Sequence, residues 1–269
     1  MRLRSEVKRV RTWVMPAAFL LAGIAIVSLL TRQGLSTTEA DADVRATAYV
    51  AVATNFKTTA DQLTSAFMAQ QQHQLIIVSG STGKLFNQIK QGAPFDLFLS
   101  ADAQRASRLV DEGFAVPGSQ ATYAVGRLAL LSRQPTSLTE LKGNQFRRLA
   151  MANPNLAPYG LAAAQTLKKL ELEQVLTDKI VTGETVGQAY AMVATGNADL
   201  AFVALSMIDP ALRAQAWMVP ADYHEPIRQD LVLLKHGQNN PAARAFQSFL
   251  SSSQAQTLIE AAGYQSNAT

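Results

Sequence analysis

The chain has 269 residues, of which 48% are hydrophobic and 16% are charged, and it contains no cysteine. This length suits one large domain or two lobes, because single hydrophobic cores stop growing at about 250–300 residues. The apolar content excludes a disordered chain. The lack of cysteine excludes disulfides, iron–sulfur clusters, thiolate zinc sites, cysteine nucleophiles and a lipid-modified N-terminal cysteine.

The net charge of +4 is concentrated at the N-terminus. Residues 1–42 hold six basic and three acidic residues, which leaves 18 basic and 17 acidic residues in 43–269. A nearly neutral body without a basic tract indicates no nucleic-acid partner and no membrane-surface partner.

The first 42 residues have the pattern of a secretory signal. Residues 1–11 are basic, 13–30 form an apolar run, and 40–42 read Ala-Asp-Ala. A basic head, an apolar stretch and a small-x-small site predict cleavage after Ala42. A retained anchor is the alternative, because 18 apolar residues can span a bilayer. In both cases the body is exported, so we predict a periplasmic protein, soluble or anchored to the inner membrane by 13–30.

Apolar runs and amphipathic stretches alternate through the body. The predicted strands are 48–52, 75–78, 95–99, 128–131, 149–152, 180–182, 200–203, 217–219 and 231–234. The predicted helices are 55–72, 83–91, 101–112, 137–141, 160–170, 171–176, 186–195, 241–250 and 253–262. This rhythm predicts an α/β fold with mostly parallel sheets flanked by helices. No Ser-rich or Pro-rich linker interrupts it, so any two lobes are joined by strands.

The sequence lacks the residue motifs that common classes of enzyme need for catalysis. The three histidines stand alone, and the motifs of serine hydrolases, P-loop enzymes and zinc proteases are missing. The Gly80–Lys84 turn is too short for a P-loop. We therefore predict a protein that is not an enzyme.

Four strand-to-helix turns carry small hydroxyl, amide or glycine residues. They are Thr54-Asn55, Ser81-Thr82-Gly83, Pro158-Tyr159-Gly160 and Thr185-Val186-Gly187. A helix start has free N–H groups and a partial positive charge, so it binds anions without a cationic side chain. Each turn alone is typical of an ordinary helix cap. Together, two from each half of the chain, they favour an anion site.

Six segments of the body carry a recognisable pattern: Gly-Ala-Pro-Phe-Asp-Leu-Phe-Leu-Ser-Ala-Asp at 92–102, and 50–56, 80–85, 123–128, 152–160 and 237–240. They resemble the molybdate-binding proteins of ABC importers, and 92–102 is the most specific of them. The resemblance covers about 50–262. It implies a two-lobe type II periplasmic-binding-protein fold with a two-strand hinge. It places the first lobe at 43–124 with a return at 224–269, the second lobe at 125–223, and the crossings near 121–130 and 226–234.

The resemblance also implies a set of ligand residues. A tetrahedral oxyanion would be held by hydroxyls and backbone N–H groups at Thr54, Asn55, Thr82, Tyr159 and Val186, with molybdate bound through the last four. Many relatives place a ligand tyrosine where this chain has Ala204, so we expect Tyr159 to supply that phenol. The alternative is a Tyr159 ring that only packs over the cleft wall. Asp96 is expected to be framework, either exposed or a cap partner.

The expected function is capture of molybdate, and also tungstate, for an ABC permease in the inner membrane. The resemblance implies a monomer that needs no cofactor. Two alternatives stay open: a carrier of another tetrahedral oxyanion such as sulfate, and a membrane-anchored oxyanion sensor.

Overall fold

The computed structural model describes residues 45–265. The predicted signal peptide or anchor, at 1–42, lies outside these residues, and so does the end of the predicted return to the first lobe. No helix within 45–265 has the length and apolar character needed to cross a membrane.

Ten strands and eight α-helices form the described body. The strands are β1 Thr47–Ala53, β2 Gln74–Gly80, β3 Leu97–Leu99, β4 Ala121–Gly126, β5 Leu128–Ser132, β6 Leu149–Ala152, β7 Ile180–Gly183, β8 Leu200–Ala204, β9 Trp217–Met218 and β10 Ile227–Leu233. The helices are α1 Lys57–Met68, α2 Thr82–Lys90, α3 Ala103–Asp111, α4 Leu138–Gly143, α5 Pro158–Lys169, α6 Val186–Ala194, α7 Pro241–Leu250 and α8 Ser253–Ala261. Short 3₁₀ turns include Thr54–Phe56 and Leu205–Met207.

The strands form two five-stranded sheets of the same design. The first has the order β2-β1-β3-β10-β4, and the second has the order β7-β6-β8-β5-β9. In the first, β1 pairs in parallel with β2 and β3, while β10 is antiparallel to β3 and β4. In the second, β6 pairs in parallel with β7 and β8, while β5 is antiparallel to β8 and β9. Four of the five strands in each sheet therefore run the same way.

The chain changes sheet twice. It leaves the first sheet at the end of β4 and enters the second at β5, with Arg127 between them. It returns between β9 and β10. The reversed strand in each sheet, β5 or β10, is the first strand that the chain forms after a crossing.

Separate apolar cores lie beneath the sheets. In the first sheet, Phe67 of α1 packs edge-on against Phe246 of α7, with ring centroids 5.4 Å apart. In the second, small residues of α5 and α6 such as Ala163 and Ala189 are fully buried, so these helices pack closely on β6 and β8. Burial of an aromatic side chain contributes about 1.5–3 kcal/mol to the free energy of folding. Because these contacts fix the helices against their sheets, the first turns of the helices stay at the carboxyl ends of the strands.

The predicted helix at 171–176 is wrong. Helix α5 ends at Lys169, and Glu171 has a positive φ of 59°. The N–H of Leu172 donates to the carbonyl of Leu167, a six-residue closure typical of a helix end. Good helix-forming side chains follow in the sequence, but the left-handed residue turns the chain away before they can extend α5.

Candidate anion-binding site

The four predicted turns come together between the two sheets. The N–H of Gly83, in the first turn of α2, donates to the carbonyl of Leu156 just before α5, at 2.9 Å. Beside it, Nη2 of Arg105 donates to the carbonyl of Asn155, also at 2.9 Å. These bonds join the start of α2, below the first sheet, to the start of α5, below the second.

The other two turns meet at Thr54 and Gly187. A methyl group on Gly187 would lie 2.5 Å from Cγ2 of Thr54, closer than real side-chain contacts allow. Glycine at the start of α6 therefore lets this helix approach the turn that follows β1. Nearby, Oγ of Ser206 donates to the carbonyl of Asn55 at 3.0 Å, a second contact between the halves of the chain.

Four of the predicted site residues are enclosed. Thr82, Tyr159, Asn55 and Val186 are 1%, 2%, 3% and 4% exposed, whereas Thr54 is partly exposed. Their backbone N–H groups have no hydrogen-bond partner within residues 45–265. Thr82, Tyr159 and Val186 lie in the first turns of α2, α5 and α6, where the helix itself supplies no acceptor. The result is a buried group of N–H donors without acceptors.

Two hydroxyls adjoin these N–H groups. Oγ1 of Thr82 accepts a hydrogen bond from the Ala101 N–H at 3.3 Å, so its own proton is free to be donated. Oγ of Ser81 is buried and has no partner in the described part of the chain. Ser81 is the N-cap residue of α2, but its side chain makes no capping hydrogen bond. We did not predict Ser81 as a site residue, although it lies in one of the four turns.

The Asn55 side chain has its donors occupied. Its Nδ2 donates to Oε1 of Gln229 at 2.9 Å and to the phenolic oxygen of Tyr264 at 3.1 Å. An amide nitrogen has two hydrogens, and these bonds use both. The group that Asn55 can offer to an anion is therefore its backbone N–H.

The phenol of Tyr159 lies deep between the sheets. Its oxygen accepts from Nε2 of Gln229 at 3.3 Å, and a side chain on Gly126 would overlap it. Burial raises the pKa of Tyr159 well above its usual value, so the phenol keeps its proton at physiological pH. Ala204, at the position where many relatives are expected to have a ligand tyrosine, is fully buried at the end of β8.

Sequence reasoning missed the residues behind these donors. Gln229 and Tyr264 contact Asn55 from 174 and 209 residues away in the chain. Tyr123 adds a bond to Oε1 of Gln229 at 3.2 Å. No local motif marks them: Gln229 stands between Arg228 and Asp230, and Tyr264 stands between Gly263 and Gln265.

Charged side chains near the turns are engaged elsewhere. Nζ of Lys84 pairs with Glu184 at 3.4 Å, and both side chains are 58% exposed.

Asp96 is buried, which corrects the expectation of an exposed residue or cap partner. It accepts from the Tyr49 N–H and pairs with His236. Within 45–265 no cluster of three or more His, Cys, Asp or Glu residues could hold a metal ion.

Comparison with known proteins identifies the family of this chain. A family model described as bacterial extracellular solute-binding protein matches residues 48–265. The chain belongs to this family. As a solute-binding protein it is not an enzyme, as predicted.

Within the family, the similarity is to molybdate-binding proteins. The molybdate-binding protein ModA of Azotobacter vinelandii is 45% identical over 222 residues, covering 80% of this chain and 88% of that protein. ModA of Rhodobacter capsulatus is 43% identical over 218 residues, covering 80% and 86%. The predicted resemblance is confirmed.

A solved structure shows the same similarity to molybdate-binding proteins. The periplasmic molybdate-binding protein of Azotobacter vinelandii has 42% sequence identity and a TM-score of 0.78, covering 81% of this chain and 98% of that one. The predicted type II periplasmic-binding-protein fold is thereby confirmed.

Proposed function

We propose that this protein captures molybdate outside the cytoplasm and delivers it to an ABC importer, and that it takes tungstate as well. The observation that carries the proposal is the buried set of N–H groups without acceptors at Asn55, Thr82, Tyr159 and Val186. Unpaired buried donors cost about 1–3 kcal/mol each, and an oxyanion would supply their acceptors. The similarity to the two ModA proteins supports molybdate as that anion.

The chemistry of the donors fits a fully deprotonated dianion. Backbone N–H groups and hydroxyls can all donate, and the proposed set contains no carboxylate. Thr54, Thr82 and Ser81 add hydroxyls, and the unpartnered Ser81 Oγ suits a ligand oxygen. Helix starts supply partial positive charge, so no lysine or arginine is required.

We further propose that the two sheets define lobes that close on the ligand. The lobes would be 43–124 with 224–269, and 125–223, with β4–β5 and the entry to β10 as the hinge. The Gly83–Leu156 and Ser206–Asn55 hydrogen bonds span these lobes, and this supports a clamp that must open to admit the anion.

The remaining assignments follow from this role. The partner would be an inner-membrane permease, the protein would act as a monomer in the periplasm, and residues 1–42 would be a signal peptide or an anchor. Membrane fractionation of cells would distinguish these two fates of the N-terminal segment.

Ligand release tests the function directly. Protein purified from cells grown with molybdate would be denatured, and the released anions identified by mass spectrometry. We expect intact molybdate close to one per chain, and tungstate when that is supplied instead. Release of sulfate alone would replace this proposal with a sulfate carrier, and protein that binds neither anion would refute an oxyanion carrier.

A further inference from the structure

A series of hydrogen bonds lies behind the site, and each bond determines which group donates and which accepts in the next. It begins at the backbone carbonyl of Asn55, which can only accept. Tyr264 donates its single phenolic proton to this carbonyl at 2.9 Å. The oxygen of Tyr264 can then only accept, and it does so from Nδ2 of Asn55 at 3.1 Å.

The same direction continues through the two amides. Since Nδ2 of Asn55 is identified by its bond to Tyr264, its other hydrogen goes to Oε1 of Gln229, at 2.9 Å. Tyr123 lies 3.2 Å from the same oxygen, but its single proton is shared with the Ser100 carbonyl at 3.1 Å. The orientation of the Gln229 amide therefore follows from Asn55 alone. The nitrogen end of Gln229 must then face Tyr159, and Nε2 donates to its phenolic oxygen at 3.3 Å.

The last member of the chain is left with a proton to give. The oxygen of Tyr159 accepts from Gln229 and lies near the Asn55 amide, and no hydrogen bond donated by its O–H is present within residues 45–265. The phenol is also kept neutral by burial, which raises its pKa. Gly126 is required here, because any side chain would overlap this oxygen.

We propose that Gln229 is a positioning residue that fixes Tyr159 as a hydrogen-bond donor to the bound oxyanion. This inference rests on the proposed function, because it assigns the free phenolic proton to the anion. Gln229 sits in β10, fully buried at an irregularity between Gln229 and Asp230, so its side chain has little freedom to turn. Its amide determines the polarity of the site without touching the ligand.

Replacing the amide by a carboxylate would reverse that polarity. In Gln229→Glu, an ionised carboxylate only accepts, so the Tyr159 O–H would turn toward it and away from the anion. A protonated carboxyl can donate to Tyr159 as the amide does. The titratable groups facing this position are Tyr123, Tyr159 and Tyr264, while the neighbouring Asp230 is turned to Thr122 and Gln120.

The first experiment is calorimetry of molybdate binding between pH 6 and 8. We expect Gln229→Glu to bind about a hundredfold more weakly than wild type at pH 8, and to regain at least about tenfold as the pH falls to 6. The exposed Gln134→Glu adds the same charge and should match wild type throughout. Unchanged affinity of Gln229→Glu, or an equal loss at every pH, would overturn the inference.

A double-mutant cycle covers the case in which the carboxylate prevents folding. Tyr159→Phe should weaken binding about ten- to a hundredfold, and Gln229→Met should weaken it less. If Gln229 acts through Tyr159, the double variant should bind within about twofold of Tyr159→Phe alone. Additive losses would overturn the inference while leaving the function intact. Wild-type protein that binds no oxyanion would refute the function, and this inference with it.

Discussion

Nζ of Lys84 lies 3.4 Å from the carboxylate of Glu184, and each side chain is more than half exposed. Lys84 follows the Thr82-Gly83 turn of one sheet, and Glu184 precedes Val186 of the other. Two of the charged residues nearest in sequence to the proposed donors therefore pair with each other, while Lys57, equally near to Asn55, pairs with Asp61. An exposed pair of this kind contributes about 0–1 kcal/mol.

The first prediction is that Lys84 is not required for binding. Lys84→Met should weaken molybdate binding by no more than about tenfold, the scale of one surface charge of ~1 kcal/mol. Calorimetry beside the exposed control Lys142→Met would measure this. A thousandfold loss specific to Lys84→Met would mean that a cation holds the anion and that the neutral site is misassigned.

The second prediction concerns the hydroxyl of Thr82. This side chain is 1% exposed and accepts from the Ala101 N–H, so its proton is free for the anion. Thr82→Val replaces a donor by a methyl group of the same shape, and we expect a loss of ~1.5–3 kcal/mol in binding, the range for hydrogen bonds to charged groups. Thr82→Ser retains the hydroxyl and should stay close to wild type in the same titration. Equal affinities for the Val and Ser variants would remove Thr82 from the site.

The alternation of strands and helices could be predicted from the sequence because it depends on local patterns, whereas the two-lobe arrangement was implied by the resemblance. Apolar runs such as 149–152 and 200–203 predicted β6 and β8, and the glycine-rich turns predicted three helix starts. The end of α5 could not be predicted in this way. It depends on the left-handed conformation of Glu171, and the sequence does not indicate this conformation because good helix-forming residues follow Glu171.

The third prediction links Gly187 to lobe closure. Gly187→Ala would place a methyl group 2.5 Å from Cγ2 of Thr54, and rotating Thr54 away would also displace its hydroxyl. We expect weaker molybdate binding in this variant. By small-angle scattering, wild type should contract when it binds molybdate, and Gly187→Ala should contract less.

Gly143→Ala is the matched control for this test, since a methyl group there meets nothing within 4 Å. It should bind and contract as wild type does. A Gly187→Ala protein that binds and contracts normally would show that the closed form does not bring Thr54 and α6 together.

The fourth prediction is a loss of stability at alkaline pH. Burial raises the pKa values of Tyr123, Tyr159 and Tyr264. In the unfolded chain these phenols ionise near pH 10, while in the folded protein they stay neutral. Their contribution is therefore complete below about pH 10 and is lost as the pH rises further.

Urea unfolding without ligand would measure this dependence. The free energy of unfolding should be insensitive to these groups from pH 7 to 9 and should fall above about pH 10. Tyr159→Phe should reduce the slope of that fall relative to wild type. An unchanged slope in Tyr159→Phe would contradict a shifted phenol at Tyr159.

The candidate site was only partly accessible from sequence. Helix starts are recognisable because free N–H groups follow from helix geometry, so the turns could be proposed, and the resemblance singled out Thr82, Tyr159 and Val186 within them. The use of the Asn55 amide could not, because its partner Gln229 lies in a strand that is distant in sequence. Which atom of Asn55 faces a ligand is decided by that tertiary contact.

The most direct test of the central claim is competition between oxyanions. Molybdate, tungstate and sulfate are fully deprotonated near neutral pH, whereas phosphate retains a proton that needs an acceptor. A site of donors alone leaves that proton unpaired, at a cost of ~1–3 kcal/mol or more. Phosphate should therefore bind at least about tenfold to a hundredfold more weakly than molybdate in competition calorimetry. If millimolar phosphate displaced molybdate as readily as tungstate does, the donor-only site would be wrong, and Glu184 would be the first acceptor to examine.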